Sequence, residues 1–302
     1  MCQKIIIVYI MSDWKLYKIN KIMNFYWDMS NMSYLQYLSL VSFNKFNPDW
    51  QINLYVPIER VVAKTWKSDE QKCDYIGKDY YELVKTLKYV NIIQIDFTDI
   101  GIDNSIPDVF KSDILRWYLL ANQSGGWSDI DILYLRPLSE LPFAGNMLTG
   151  TVEDTDMTVM YGIDPNTNMN YHLIGFYLSS GDNCVFNSLF INSKKSLNLS
   201  NYQSVGSTLF NTLYKNNNIL KKLNNLSICN LPTKCIYPYL SHDISCIFNS
   251  ADLAKIDKTV VGLHWYNGSK IAKIFNNTYI PRQTNITNVI TYLIKQMEYY
   301  EL

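Results

Sequence analysis

Two aspartates, Asp129 and Asp131, stand one residue apart in the stretch SDILRWYLLANQSGGWSDIDILYLRPL, residues 112–138, just ahead of an apolar run. In an extended segment, residues i and i+2 project to the same face, so the two carboxylates lie side by side. Without a cation between them they repel, and neither suits the edge of a core. A hard divalent cation, Mn2+ or Mg2+, resolves the conflict: it takes oxygen ligands and keeps positions for water or phosphate oxygens. The plain alternative is a pair of solvated loop carboxylates. D-x-D alone does not decide, because a second copy occurs at Asp154 and Asp156. Upstream, Asp113 and Arg116 have i,i+3 spacing, which a simple helical salt bridge would also explain.

These residues need elements to position them. DILRWYLLANQ (113–123) predicts a helix with Asp113 in its first turn, where a carboxylate complements the helix dipole. Gly125 and Gly126 end that helix, and ILYL (132–135) resumes a sheet. Earlier, IIIVYI (5–10), QINLYVP (51–57) and YVNIIQIDF (89–97) are short apolar runs of the kind buried on both faces of a sheet. Between them, MSYLQYLSLVSFNKF (32–46) and YYELVKTL (80–87) predict helices. Strand–helix–strand order argues for a parallel sheet with crossover helices, whose ligand crevice lies at the strand ends. Later strands are expected at 157–163, 170–180 and 259–267, with helices at 184–194, 205–215 and 286–302. No repeat, linker or composition shift divides the chain, so residues 1–302 are expected to form one α/β domain with insertions.

Composition narrows the function classes. Hydrophobic residues make up 48% of the 302, enough for a large core. Lys plus Arg equals Asp plus Glu at 27 each, so no bulk field attracts nucleic acid or an anionic membrane. Any anionic ligand must be held by local groups or a metal. Six scattered cysteines without a C-x-x-C pair, and only three histidines, argue against a Cys/His zinc site. No apolar run is long enough to span a bilayer.

The combination Ser112-Asp113-Ile114-Leu115-Arg116, Gly125-Gly126, Asp129-Ile130-Asp131 and Arg136-Pro137-Leu138 resembles the signature of the DXD-containing sugar transferases. That family includes yeast α-1,6-mannosyltransferases and α-1,4-galactosyltransferases, and more distantly the catalytic domains of clostridial glucosylating toxins. The likeness continues, in the family's order, through FNPDWQINLYVP, NYQSVGSTLFNTL, YPYLSHDISCIF and VVGLHWYNGSK. Three departures stand out. Only Trp127-Ser128 separate Gly-Gly from D-x-D, the family's Gly-Pro is Gly206-Ser207, and the strand at 5–10 lacks the usual Trp, leaving Tyr9 as the nucleotide-contact candidate there.

The resemblance implies a GT-A fold: a Rossmann-like, mostly parallel sheet with flanking helices and insertions. It implies transfer of a sugar from a nucleotide sugar, a UDP-sugar ahead of a GDP-sugar, to a glycan or other hydroxyl acceptor with retained anomeric configuration. Asp131 and His264 would ligate Mn2+ or Mg2+, with Asp129 on the metal through water or on the ribose and donor sugar. Asp113 and Arg116 would grip the donor sugar's hydroxyls. Trp265, Ser269 and Lys270 would meet the diphosphate. His172 falls where relatives place substrate-facing polar groups. With no anchor, unlike many Golgi relatives, a soluble cytoplasmic enzyme of bacterial or viral source is expected. A degenerate, purely binding version of the fold and a metal-dependent phosphohydrolase are the competing readings.

Overall fold

The computed structural model describes residues 19–61, 75–141, 156–160, 162–164, 169–171, 173–181, 184–213, 227–282 and 285–298. The chain opens with β1 (Ile22–Tyr26), α1 (Tyr34–Phe46), β2 (Gln51–Pro57), α2 (Tyr81–Val84), β3 (Val90–Ile95) and α3 (Asp108–Asn122). It continues through β4 (Gly125–Ser128), β5 (Ile132–Tyr134), β6 (Asp156–Met160), β7 (Gly162–Asp164), β8 (Met169–Tyr171), β9 (Phe176–Ser179), α4 (Cys184–Ser196), α5 (Ser207–Leu213) and β10 (Ser227–Leu231). It closes with α6 (Ile244–Asn249), β11 (Gly262–His264), α7 (Lys270–Thr278) and α8 (Val289–Glu298).

Seven strands form a mixed, mostly parallel sheet in the order β10-β6-β9-β4-β1-β2-β3. Only β9 is reversed, pairing antiparallel with both β4 and β6. Along the strands, neighbouring residues serve opposite faces. Phe25, Leu54 and Phe176 join a core beneath α1, while Tyr26, Tyr55 and Tyr177 join a second core with Trp117, Phe186 and Phe210. A third cluster packs α6, α7 and α8 around Trp265 and Leu263.

The first strand of the described sheet is not the expected run at 5–10, which lies outside the described residues. It is Ile22–Tyr26, flanked by β2 and β4 and interrupted by a buried asparagine. Asn24 is satisfied inside the sheet: its amide donates to Gly126 O at 2.9 Å and its oxygen accepts from Asn53 at 3.1 Å. Asn91 continues this ladder onto Asn53.

Gly125 and Gly126 do more than end a helix. They begin β4, and each permits a close approach: a Cβ on Gly125 would sit 2.8 Å from Ile22 O, and one on Gly126 2.7 Å from Met23 Cε. The run after the carboxylate pair does not rejoin the main sheet. β5 pairs antiparallel with β11, Ile132 opposite His264 and Leu133 opposite Leu263. α3 begins at Asp108, which moves Asp113 out of the first turn and into the helix body. The expected helix at 80–87 is a single turn, and α7 was unforeseen. No helix among the described residues is long and apolar enough to cross a membrane.

Candidate active site

The parallel strands β1, β2 and β4 end at one edge of the sheet, and β9 starts there. A cavity of about 990 Å3 opens at that edge. Its wall takes Trp27 and Asp28 from beyond β1, Arg60 and Val61 from beyond β2, Asp129 and Asp131 from beyond β4, and Gly175 from ahead of β9.

The β5–β11 pairing carries His264 to Asp131 across more than a hundred residues of chain. His264 Nε2 lies 3.1 Å from Asp131 Oδ1. The Asn267 amide donates to Asp131 Oδ2 at 2.8 Å, and the Trp265 amide to Asp131 O at 2.9 Å. Burial pushes the Asp131 carboxyl up, but the His264 imidazole and the Asn267 amide outweigh it and hold it below the usual carboxylate range. Ligand atoms of Asp129, Asp131 and His264 all fall within 4.8 Å of one another. Two carboxylates and an imidazole suit a divalent cation, Mn2+ better than Mg2+ because of the nitrogen donor.

Asp129 is aimed by three partners. Its Oδ1 accepts from Arg116 Nη2 at 2.8 Å and from the Trp127 indole at 2.9 Å, and its backbone amide donates to Gly175 O at 2.7 Å. Oδ2 is thereby turned toward Gly175, where a Cβ would sit 2.8 Å from it and 2.3 Å from the Tyr237 hydroxyl. No larger residue fits at 175 without moving a candidate ligand. Tyr237 accepts from the Gly175 amide at 3.0 Å and stacks on the His264 ring at 4.7 Å.

Arg116 is almost wholly buried between the rings of Trp117 and Trp127. Its Nη2 also lies 3.2 Å from Asp113 Oδ1. Nε and Nη1 are buried with no hydrogen-bond partner among the described residues. Burial pushes the Asp113 carboxyl up to about 7, with Arg116 opposing the rise and Asp129 adding to it. The Gly206 backbone presses on Asp113, since a Cβ there would be 2.3 Å from Oδ2. Ser207 and Gln203 beside it line the cavity.

Five of the sequence-derived candidates therefore converge: Asp113, Arg116, Asp129, Asp131 and His264. Ser269 also lines the cavity, at the N-cap of α7, where its side chain accepts from the Ala272 amide. Trp265 and Lys270 do not. Trp265 is fully buried in the third core cluster, and Lys270 faces solvent. Lys273, one turn on, is the α7 cation in the wall. Tyr9, His172 and the Asp154 half of the rival D-x-D lie outside the described residues. Sequence reasoning missed Trp27, Gly175 and Tyr237. Trp27 directly follows β1, so placing that strand correctly would have put a tryptophan at the site.

No protein-family model matches the chain, and no curated protein matches its sequence. Among solved structures it is similar to a PaToxG glycosyltransferase, with a TM-score of 0.45 and 17% identity over 65% of this chain and 69% of that one. It is also similar to an active-site mutant of LgtC, with a TM-score of 0.42 and 13% identity over 87% and 98% of the two chains. A third is the galactosyltransferase LgtC in complex with donor and acceptor sugar analogues, with a TM-score of 0.40 and 13% identity over the same shares.

Proposed function

We propose that the chain is a GT-A-type glycosyltransferase that uses a divalent cation to move a hexose from a nucleotide sugar, a UDP-sugar ahead of a GDP-sugar, to a hydroxyl of a saccharide or other acceptor. One observation carries the reading. A cation-suited triad, Asp129, Asp131 and His264, shares a cavity with a buried guanidinium whose free donors face no protein partner among the described residues.

Asp131 and His264 would hold the cation, with Asp129 beside them. A cation there, Mn2+ or Mg2+, offsets the charge that builds on a departing diphosphate. Asp113 and Arg116 then supply what a polyol needs, a carboxylate acceptor next to a fork of N–H donors. At the start of α7, the Gly268 amide and the Ser269 hydroxyl, with Lys273, would offer the diphosphate hydrogen bonds and positive charge. Trp27, mostly buried in the core beneath α1, adds its exposed edge to the cavity wall on the β1–β2 side of β4, where a nucleobase would lie.

Retention follows by a front-face route. The bond from the anomeric carbon to the phosphate oxygen breaks, the acceptor oxygen bonds the same face, and its proton passes to the departing phosphate. No separate base is required. Screening transfer and hydrolysis across UDP- and GDP-sugars with Mn2+ tests the proposal. Cation-dependent release of nucleotide is the expected result, and its absence across the panel contradicts it.

A further inference from the structure

We propose that Lys111 and Asp108 are positioning residues that clamp residues 58–61 as a fixed wall at the nucleotide end of the cavity. The identity of the occupant rests on the reading above; the clamp rests on its own contacts. Lys111 is completely buried. Its ammonium donates to Glu59 O at 2.9 Å, faces Asp108 Oδ1 at 3.3 Å, and lies over the Phe97 ring. Asp108 reaches the same segment from the first turn of α3. Its Oδ2 accepts from the Val61 amide at 2.6 Å, and its own amide donates to Val61 O at 3.0 Å. Tyr26, at the end of β1, donates to Asp108 Oδ1 at 2.6 Å. Residues 59 and 61 are thus both tied to α3, and Arg60 between them stands 3.6 Å from Asp28. Arg60, Val61, Asp28 and Asp108 all line the cavity.

A stability role alone accounts poorly for this arrangement. Burying an ion pair carries a large desolvation cost, and an apolar pair of the same shape commonly packs as well or better. What the pair supplies instead is direction. Each of its hydrogen bonds to residues 59 and 61 ends on backbone, so it sets where the wall runs rather than which side chain fills it. Nothing in the clamp touches Asp129, Asp131 or His264. Its loss should therefore weaken nucleotide binding and leave cation binding alone.

The test compares wild type, Lys111→Met and Tyr26→Phe by calorimetry with Mn2+ alone, then with UDP or GDP added, and by hydrogen exchange at the Val61 amide. Lys111→Met is expected to weaken nucleotide binding about tenfold and Tyr26→Phe about threefold. Mn2+ affinity stays within about twofold, and the Val61 amide exchanges faster. A folded Lys111→Met protein with wild-type nucleotide affinity overturns the clamp, as does an equal loss of Mn2+ affinity. If Lys111→Met fails to fold, Tyr26→Phe decides: unchanged nucleotide affinity overturns the clamp. A wild type that binds Mn2+ but neither nucleotide sinks the transferase reading instead, a result separable from failure of the clamp.

Discussion

Helix α3 carries two buried acid–base pairs at the same i,i+3 spacing, Asp108 with Lys111 and Asp113 with Arg116, and their surroundings differ. The first pair is saturated: Asp108 accepts from Tyr26 and Val61, and Lys111 donates to Glu59. In the second, Arg116 spends Nη2 on Asp113 and Asp129 and leaves Nε and Nη1 buried without a partner among the described residues. An unpaired buried donor costs about 1–3 kcal/mol. The first pair fixes backbone; the second keeps donors without a protein partner among the described residues, which the proposed function assigns to a donor sugar.

Replacing the fork with a point charge breaks this contrast most directly. Arg116→Lys keeps the charge but loses the planar donor geometry, and turnover is expected to fall by about a hundredfold with the fold intact. Steady-state kinetics check this, and wild-type turnover in that variant would erase the distinction between the pairs.

Asp113 gives the open pair a pH signature. Its carboxyl is raised in the folded protein, so the native state keeps a proton that the unfolded chain has already released. For the cation-free protein, this group's contribution is most favourable below about pH 4, declines as pH rises to about 7, and is flat above. Asp113→Asn removes that slope and, on the proposed function, weakens the hold on the donor sugar. Denaturant melts at about pH 5 and about pH 8 measure it. An unchanged slope in the variant assigns the dependence elsewhere.

Gly175→Ala tests whether backbone packing aims the candidate ligands. The added methyl must displace both Asp129 and Tyr237, so Mn2+ affinity should fall about tenfold. The smallest effects lie on α7. Ser269→Ala removes an N-cap worth about 1 kcal/mol in thermal melts. Lys270→Ala, outside the cavity wall, should change nucleotide affinity by less than about twofold.

Particular elements show what was legible in the sequence. α1 followed from helical spacing, and β2 and β3 from their apolar runs, although each strand carries an interior asparagine. β1 was passed over for the run at 5–10, and its Asn24 is satisfied by partners on β2 and β4. Asp113, Arg116, Asp129, Asp131 and His264 were named together through the resemblance their motifs carry, and the structure gathers them. The device that gathers them, β5 leaving the main sheet to pair with β11, has no local signal, since three apolar residues fit either sheet. The aromatic of the short Trp127-Ser128 spacer has a definite place: its indole donates to Asp129. Trp265 looked like a phosphate contact beside His264, yet it is buried in the third core cluster with Leu263. The clamp at Lys111 was invisible because its partners are backbone atoms.

The central claim is that Asp129, Asp131 and His264 hold a cation needed for a nucleotide sugar. Titrating Mn2+ and then UDP or GDP into wild type and Asp131→Asn by calorimetry tests it most directly. The account predicts nucleotide binding that depends on Mn2+ in wild type, and loss of both in a folded Asp131→Asn protein. Wild-type Mn2+ and nucleotide affinities in that variant would contradict it.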